Sequence, residues 1–142
     1  MTTARQLLQG KSRGLVTIGP GASVREALKL MAEQDIGALL VVENGKLAGI
    51  VSERDYARKV ILLGKSSHDT PVSEIMTGRA VCVQPGNTVE ECMALMTDKH
   101  VRHLPVIEHD KLLGVLSIGD LVKETISAQR FMIEQLESYI HR

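Results

Sequence analysis

The chain has 142 residues, with Lys+Arg and Asp+Glu balanced at 17 each and aromatic residues making up only 2%. That balance excludes a global field drawing in nucleic acid or an anionic membrane, and Tyr56, Phe131 and Tyr139 alone make no stacking platform for single-stranded nucleic acid. No apolar run approaches the roughly 18 residues of a membrane span, and no start resembles a signal peptide, so the expectation is a soluble, cytoplasmic protein.

In chain order, Ala4–Leu8 reads as one helical turn. Val16–Ile18 is a short strand ended by Gly19-Pro20-Gly21. Ser23 and Glu26 form a capping box, after which Val24, Leu28, Met31 and Ala32 recur at helical spacing. Ile36 to Val42 is apolar, branched and too short for a helix, so it predicts a buried strand. Asn44-Gly45 is a hairpin turn whose central residues need positive φ; Leu47–Val51 returns as the partner strand and residues 53–63 form a second helix. A polar linker, residues 64–71, leads to Val72–Met76, which resembles Ala4–Leu8.

The same order then repeats. Thr88 and Glu91 form a capping box, Leu104–Glu108 and Leu112–Leu116 are strands about a His109-Asp110 turn, and a helix follows from Ile118 to Thr125. Residues 16–56 and 81–121 align without a gap, 65 residues apart, with 15 identities in 41 positions. Each copy alone is marginal for burying a core, so the copies are expected to pack on each other about a pseudo-twofold axis. The division read from this is a first repeat over residues 1–63, a linker over 64–71, a second repeat over 72–125 and a C-terminal helix over 126–142. That last helix carries an apolar stripe expected to pack on the body or on a partner. Cys82 and Cys92, in a predicted strand and helix, read as buried thiols.

The repeat also carries polar chemistry: Gly-x-x-Ser-x-x-Asp, as Gly49-Ser52-Asp55 and Gly114-Ser117-Asp120. Ser-x-x-Asp where a strand hands over to a helix is a capping box in its plainer reading. The same geometry suits a nucleotide: exposed amides and a hydroxyl for phosphate, and a carboxylate that accepts two hydrogen bonds from vicinal ribose hydroxyls. Basic residues separate the copies. Arg102 and His103 precede the second-copy strand where the first copy has Gly37 and Ala38, and Arg54, Arg58 and Lys59 follow the first motif. The sites are therefore inequivalent, and the Asp55 site is the better place for an anion. His100, His103, His109 and Asp110 lack the cysteine support and spacing of a zinc set, and neither a cysteine nor a serine has the His-and-carboxylate context of a nucleophile.

This doubled strand-helix-strand-strand-helix unit, closed each time by Gly-x-x-Ser-x-x-Asp and with His-Val-Arg-His-Leu-Pro-Val at residues 100–106, resembles a tandem pair of CBS domains, or Bateman module, over about residues 4–125. The resemblance implies an α+β fold of two pseudo-twofold-related β-α-β-β-α repeats packed sheet to sheet. It also implies a regulatory, non-catalytic role, with AMP, ADP, ATP, NAD or S-adenosylmethionine bound between the copies and AMP foremost. Carried over, Ser52, Arg54 and Asp55 would work with Val81, Cys82, Arg102 and His103 in one cleft. Ser117 and Asp120 would work with Val16, Thr17, Ile18 and Ala38 in the other. A homodimer acting on an effector protein is the expected assembly. The alternatives are an interaction module in which the motifs serve only as caps, and a thiol-based redox enzyme.

Overall fold

The computed structural model describes residues 1–11 and 14–140. Its first half holds α1 (Ala4–Gln9), β1 (Thr17–Ile18), α2 (Val24–Gln34), β2 (Ala38–Glu43), β3 (Lys46–Ser52) and α3 (Glu53–Tyr56), which runs into a π-helical turn at Ala57–Ile61. The second holds α4 (Val72–Ile75), α5 (Val89–Lys99), β4 (His103–Glu108), β5 (Lys111–Ser117) and α6 (Ile118–Ile140).

In the first sheet β1 runs parallel to β2, and β2 pairs with β3 in an antiparallel hairpin. The second sheet is the matching hairpin β4–β5, with an irregularity at the same place, Val41/Val42 in one and Val106/Ile107 in the other. Both hairpins turn through positive φ, at Asn44 and Gly45 and at His109 and Asp110. The strand expected around Val81–Val83 shrinks to a single parallel bridge between Val83 and Val106. Leu40 pairs with Thr17 in the first copy, but its equivalent is Pro105, which has no N–H to extend the ladder.

Caps define the long helices. The Ser23 and Thr88 hydroxyls accept from the amides of Glu26 and Glu91, and only Thr88 has the reciprocal bond from its own amide to the glutamate. The Ser23–Glu26 box is thus half formed. Both helices end on a left-handed residue, Asp35 in α2 and His100 in α5, which turns the chain into the following strand.

Two cores result, and they exchange an element. Val24, Ala27, Met31, Leu39, Val41 and Val51 of the first half pack with Val72 and Ile75 of α4. Val89, Cys92, Met96, Leu104, Val106 and Leu116 of the second half pack with Ala4 of α1 and Leu121 of α6. Each short leading helix thus serves the other half. Backbone bonds fix the exchange: the Ala4 and Arg5 amides donate to the Asn87 and Pro85 carbonyls at 2.8 and 3.0 Å, while the Val72 and Ser73 amides donate to Ala22 and Pro20 at 2.8 and 3.0 Å. The linker is not wholly solvent-facing either, since Thr70 is buried and its carbonyl accepts from the Val24 amide.

The exchange also explains the motif glycines. A Cβ on Gly49 would lie 2.5 Å from the Thr77 carbonyl oxygen, just past α4, and one on Gly114 would lie 2.7 Å from the Leu8 side chain of α1. The two sheets approach each other through β3 and β5. Strand alternation sends Leu39 and Val41 to the helices, so the buried Leu40 and Pro105 occupy the opposite faces.

Three expectations change or narrow here. The boundary read at residue 126 falls inside one continuous helix, with no break between the short helix and the tail. The tail does not fold onto the body: Leu121 is the buried residue of α6, and residues 126–140 are exposed. Cys92 is buried as expected, whereas Cys82 is exposed, as is its equivalent Thr17 in the formed strand of the first half. Among the described residues no helix is long and apolar enough to cross a membrane.

Candidate functional site

Each Gly-x-x-Ser-x-x-Asp motif ends a strand and starts a helix, and the plainer capping role is realised at both. The Ser52 amide and hydroxyl donate to Asp55 Oδ2 at 2.9 and 3.0 Å, and the Asp55 amide donates back to Ser52 Oγ at 3.2 Å. In the second copy the Ser117 amide donates to Asp120 Oδ2 at 2.8 Å and the Asp120 amide to Ser117 Oγ at 3.2 Å. A carboxylate has about four acceptor positions, so the caps leave acceptor capacity on both acids.

Around each motif the halves leave a cleft. One, of about 720 Å³, is lined by Ser52, Arg54 and Asp55 from the first half and by Val81, Arg102 and His103 from the second. The other, of about 370 Å³, is lined by Ser117 and Asp120 from the second half and by Val16, Asp35, Ile36, Gly37 and Ala38 from the first. Three candidates stand apart from these walls. Cys82 points to the surface with its thiol 3.4 Å from the Ala80 carbonyl, and Thr17 and Ile18 are engaged in the β1–β2 ladder. His103 and Gly37 border both clefts.

The charge on the walls differs sharply. Arg54, Arg58, Lys59, Arg79 and Arg102 stand in the Asp55 cleft against Glu53 and Asp55, with His100 and Thr77 beside them. In the Asp120 cleft the cation among the described residues is Lys11, facing Asp35 and Asp120. Each motif acid also has its own lysine. Lys59 lies 3.2 Å from Asp55 Oδ1 and donates to the Ile75 carbonyl at 2.9 Å. Lys11 lies 2.9 Å from Asp120 Oδ2 and donates to the Val115 carbonyl at 2.9 Å. Lys59 is one helical turn from its partner, whereas Lys11 arrives from the segment after α1, brought by the exchange.

Burial pushes the Asp120 carboxyl up, but the Ser117 amide and the Lys11 ammonium outweigh it and hold the group below its ordinary value. His103 is held below its ordinary value, first by burial and then by Lys11 and Arg102 against the opposing pull of Asp120. Burial, and after it the Glu91 carboxylate, raises the Cys92 thiol; the Cys82 side chain is exposed, and partial desolvation by the surrounding chain raises its thiol, so neither is poised as a thiolate nucleophile. Among the described residues no cluster of three or more His, Cys, Asp or Glu side chains could hold a metal ion.

Sequence reasoning missed Arg79 and Lys11. Arg79 follows α4 in a stretch with no periodic signal, and Lys11 reaches its acid only through the exchange of α1.

The family model described as CBS domain matches twice, over residues 6–61 and 72–127. The chain is 42% identical over 123 residues to the CBS domain-containing protein CBSX3, mitochondrial, of Arabidopsis thaliana, covering 83% of this chain and 60% of that relative's length. The structure of a protein with CBS domains from Burkholderia ambifaria MC40-6 superposes with a TM-score of 0.87 at 52% identity, covering 90% of this chain and 96% of the other. The hexameric CBS-CP12 protein of bloom-forming cyanobacteria superposes with a TM-score of 0.80 at 30% identity, covering 97% of this chain and 83% of the other.

Proposed function

The chain belongs to the CBS-domain family as a tandem pair, and from that premise we propose that it senses an adenosine-containing ligand, AMP foremost, in the Asp55 cleft. The observation that carries this reading is the charge on that wall. Arg102 from one half and Arg54, Arg58 and Lys59 from the other converge on a space that also holds a helix-starting serine and acid. Phosphate suits the guanidinium forks, and a ribose edge suits Asp55, which keeps one open acceptor position and gains a second when the Ser52 hydroxyl turns to the ligand.

The chain's chemistry is binding rather than catalysis, and its output is regulatory. A ligand gripped by both halves stabilises the arrangement in which they grip it best, and a partner protein that prefers the same arrangement is recruited or released. ADP, ATP, NAD and S-adenosylmethionine share the adenosine half and are the next ligands to consider. Self-association, as a homodimer, completes the reading; the hexameric cyanobacterial relative supports assembly of such modules.

A thermal-shift panel of AMP, ADP, ATP, NAD and S-adenosylmethionine tests the proposal. A ligand at 100 times its dissociation constant should add about 2.7 kcal/mol of stability, and Asp55→Ala should remove that gain. The second reading, an interaction module without a ligand, draws on the caps that already engage both acids. It wins if no ligand of the panel moves the melting temperature.

A further inference from the structure

The tail of α6 is a long helix with nothing against it. α6 runs 23 residues, about 34 Å, and only its first turns touch the body. Beyond Thr125 its apolar side chains stand in solvent: Ile133 is 54% exposed, Leu136 57% and Ile140 73%. A free helical projection of about 15 residues is marginal in water, so this one calls for a partner.

The order of the side chains specifies that partner. Ile126, Ile133 and Ile140 recur every seven residues, with Val122, Gln129 and Leu136 between them, which is the seam of a two-helix coiled coil. At about 100° per residue this seam lies a quarter-turn from Leu121, the residue facing the body, so it stays open along the whole helix. Three charged residues border it on one flank at seven-residue spacing, Lys123, Arg130 and Glu137.

We propose that α6 pairs with α6 of a second copy, antiparallel, about an axis passing between the two Phe131 positions. This builds on the self-association proposed above and names its surface. In that register Ile126 faces Leu136 of the second copy, Ile133 faces Gln129, and Ile140 faces Val122. Arg130 then reaches Glu137 on one flank, twice by symmetry, with the two Arg130 side chains flanking the axis between them, and Met132 meets its own equivalent on the other flank. A parallel pair sets Arg130 beside Thr125 and Glu137 beside Met132, so neither charge finds its opposite. A membrane surface fits poorly, because the polar side of the tail carries Glu134 and Glu137 and lacks a basic face.

The test uses the full chain with Cys82→Ser, leaving the buried Cys92 in place. Met132→Cys should form a disulfide-linked dimer under mild oxidation, while Ser138→Cys, on the opposite side of the helix, should not. Arg130→Glu and Glu137→Arg should each weaken association by roughly tenfold or more in sedimentation, and mixing the two variants should restore it, since each then offers the other its complement. Linkage at Ser138 equal to that at Met132, or no recovery on mixing, overturns the antiparallel pair. A dimer that persists without the Met132 link overturns this surface but keeps self-association; a monomer throughout removes both.

Discussion

The Asp55 and Asp120 clefts start from the same strand-to-helix junction, where the two reciprocal backbone-amide bonds between serine and acid agree within 0.1 Å, and they diverge in the charge of the residues around it. Arg102 and His103 face the first cleft, where the second has Gly37 and Ala38; Arg79 lines the first, while Gly14 lines the second. Duplication has kept what folding needs, namely caps, hairpins and motif glycines, and has released the mouths to differ. A repeated motif thus marks the scaffold of a site, and the unrepeated residues around it set what the site accepts.

The largest expected effect breaks the likeness of the two glycines. Gly49→Ala pushes a methyl group into the Thr77 carbonyl, backbone that cannot swing away, and should cost roughly 3 kcal/mol in urea unfolding. Gly114→Ala meets the end of the Leu8 side chain, which can rotate, and should cost about 1 kcal/mol. Equal losses would mean that the two leading helices are seated alike.

The binding contrast sharpens with Arg102→Ala. It should lower affinity for a phosphate-bearing nucleotide by roughly tenfold in calorimetry and leave adenosine itself unaffected. A uniform loss across both ligands would place Arg102 outside phosphate recognition.

The lysines offer a smaller separation. The Lys11–Asp120 pair is more than two-thirds buried, so Lys11→Ala should cost about 1 kcal/mol. Lys59, whose side chain is 43% exposed, should cost under about 0.5 kcal/mol when replaced by Ala.

The gentlest comparison is by pH. His103 has a folded-state pKa below its unfolded value, so the unfolded chain binds the extra proton first and stability falls as pH drops through and below about 6.5. His103→Gln should flatten that part of a stability-versus-pH curve. Asp120, also depressed, contributes stability that is present above the ordinary carboxylate range and is lost only as pH falls through its lower folded value. A curve unchanged by His103→Gln near neutrality would mean the imidazole is not the group responsible.

Much of this is legible in the sequence. The hairpins follow from Asn44-Gly45 and its counterpart, the helix starts from Ser23 and Thr88, and the inequivalence of the clefts from Arg102 and His103 set against Gly37 and Ala38. What escaped depends on contacts that local pattern does not encode. One helical turn at Ala4 carries no mark of which core it enters, so the exchange of α1 and α4 was invisible, and Lys11 with it. Cys82 reads as buried because its neighbours are apolar, yet in a strand of alternating faces the position takes the open side, as Thr17 does in the first copy. The break at residue 126 was an effect of where the repeat ends; the helix hydrogen-bond ladder does not register the end of a duplication.

The exchanged leading helices have a mechanical corollary. Cutting the backbone once within residues 64–68 should leave two fragments clasped together, each holding a piece of the other's interior. A cargo fused ahead of Met1 would be anchored on the half that the chain makes last. Force or cleavage applied at the front of the molecule is therefore felt first at its rear.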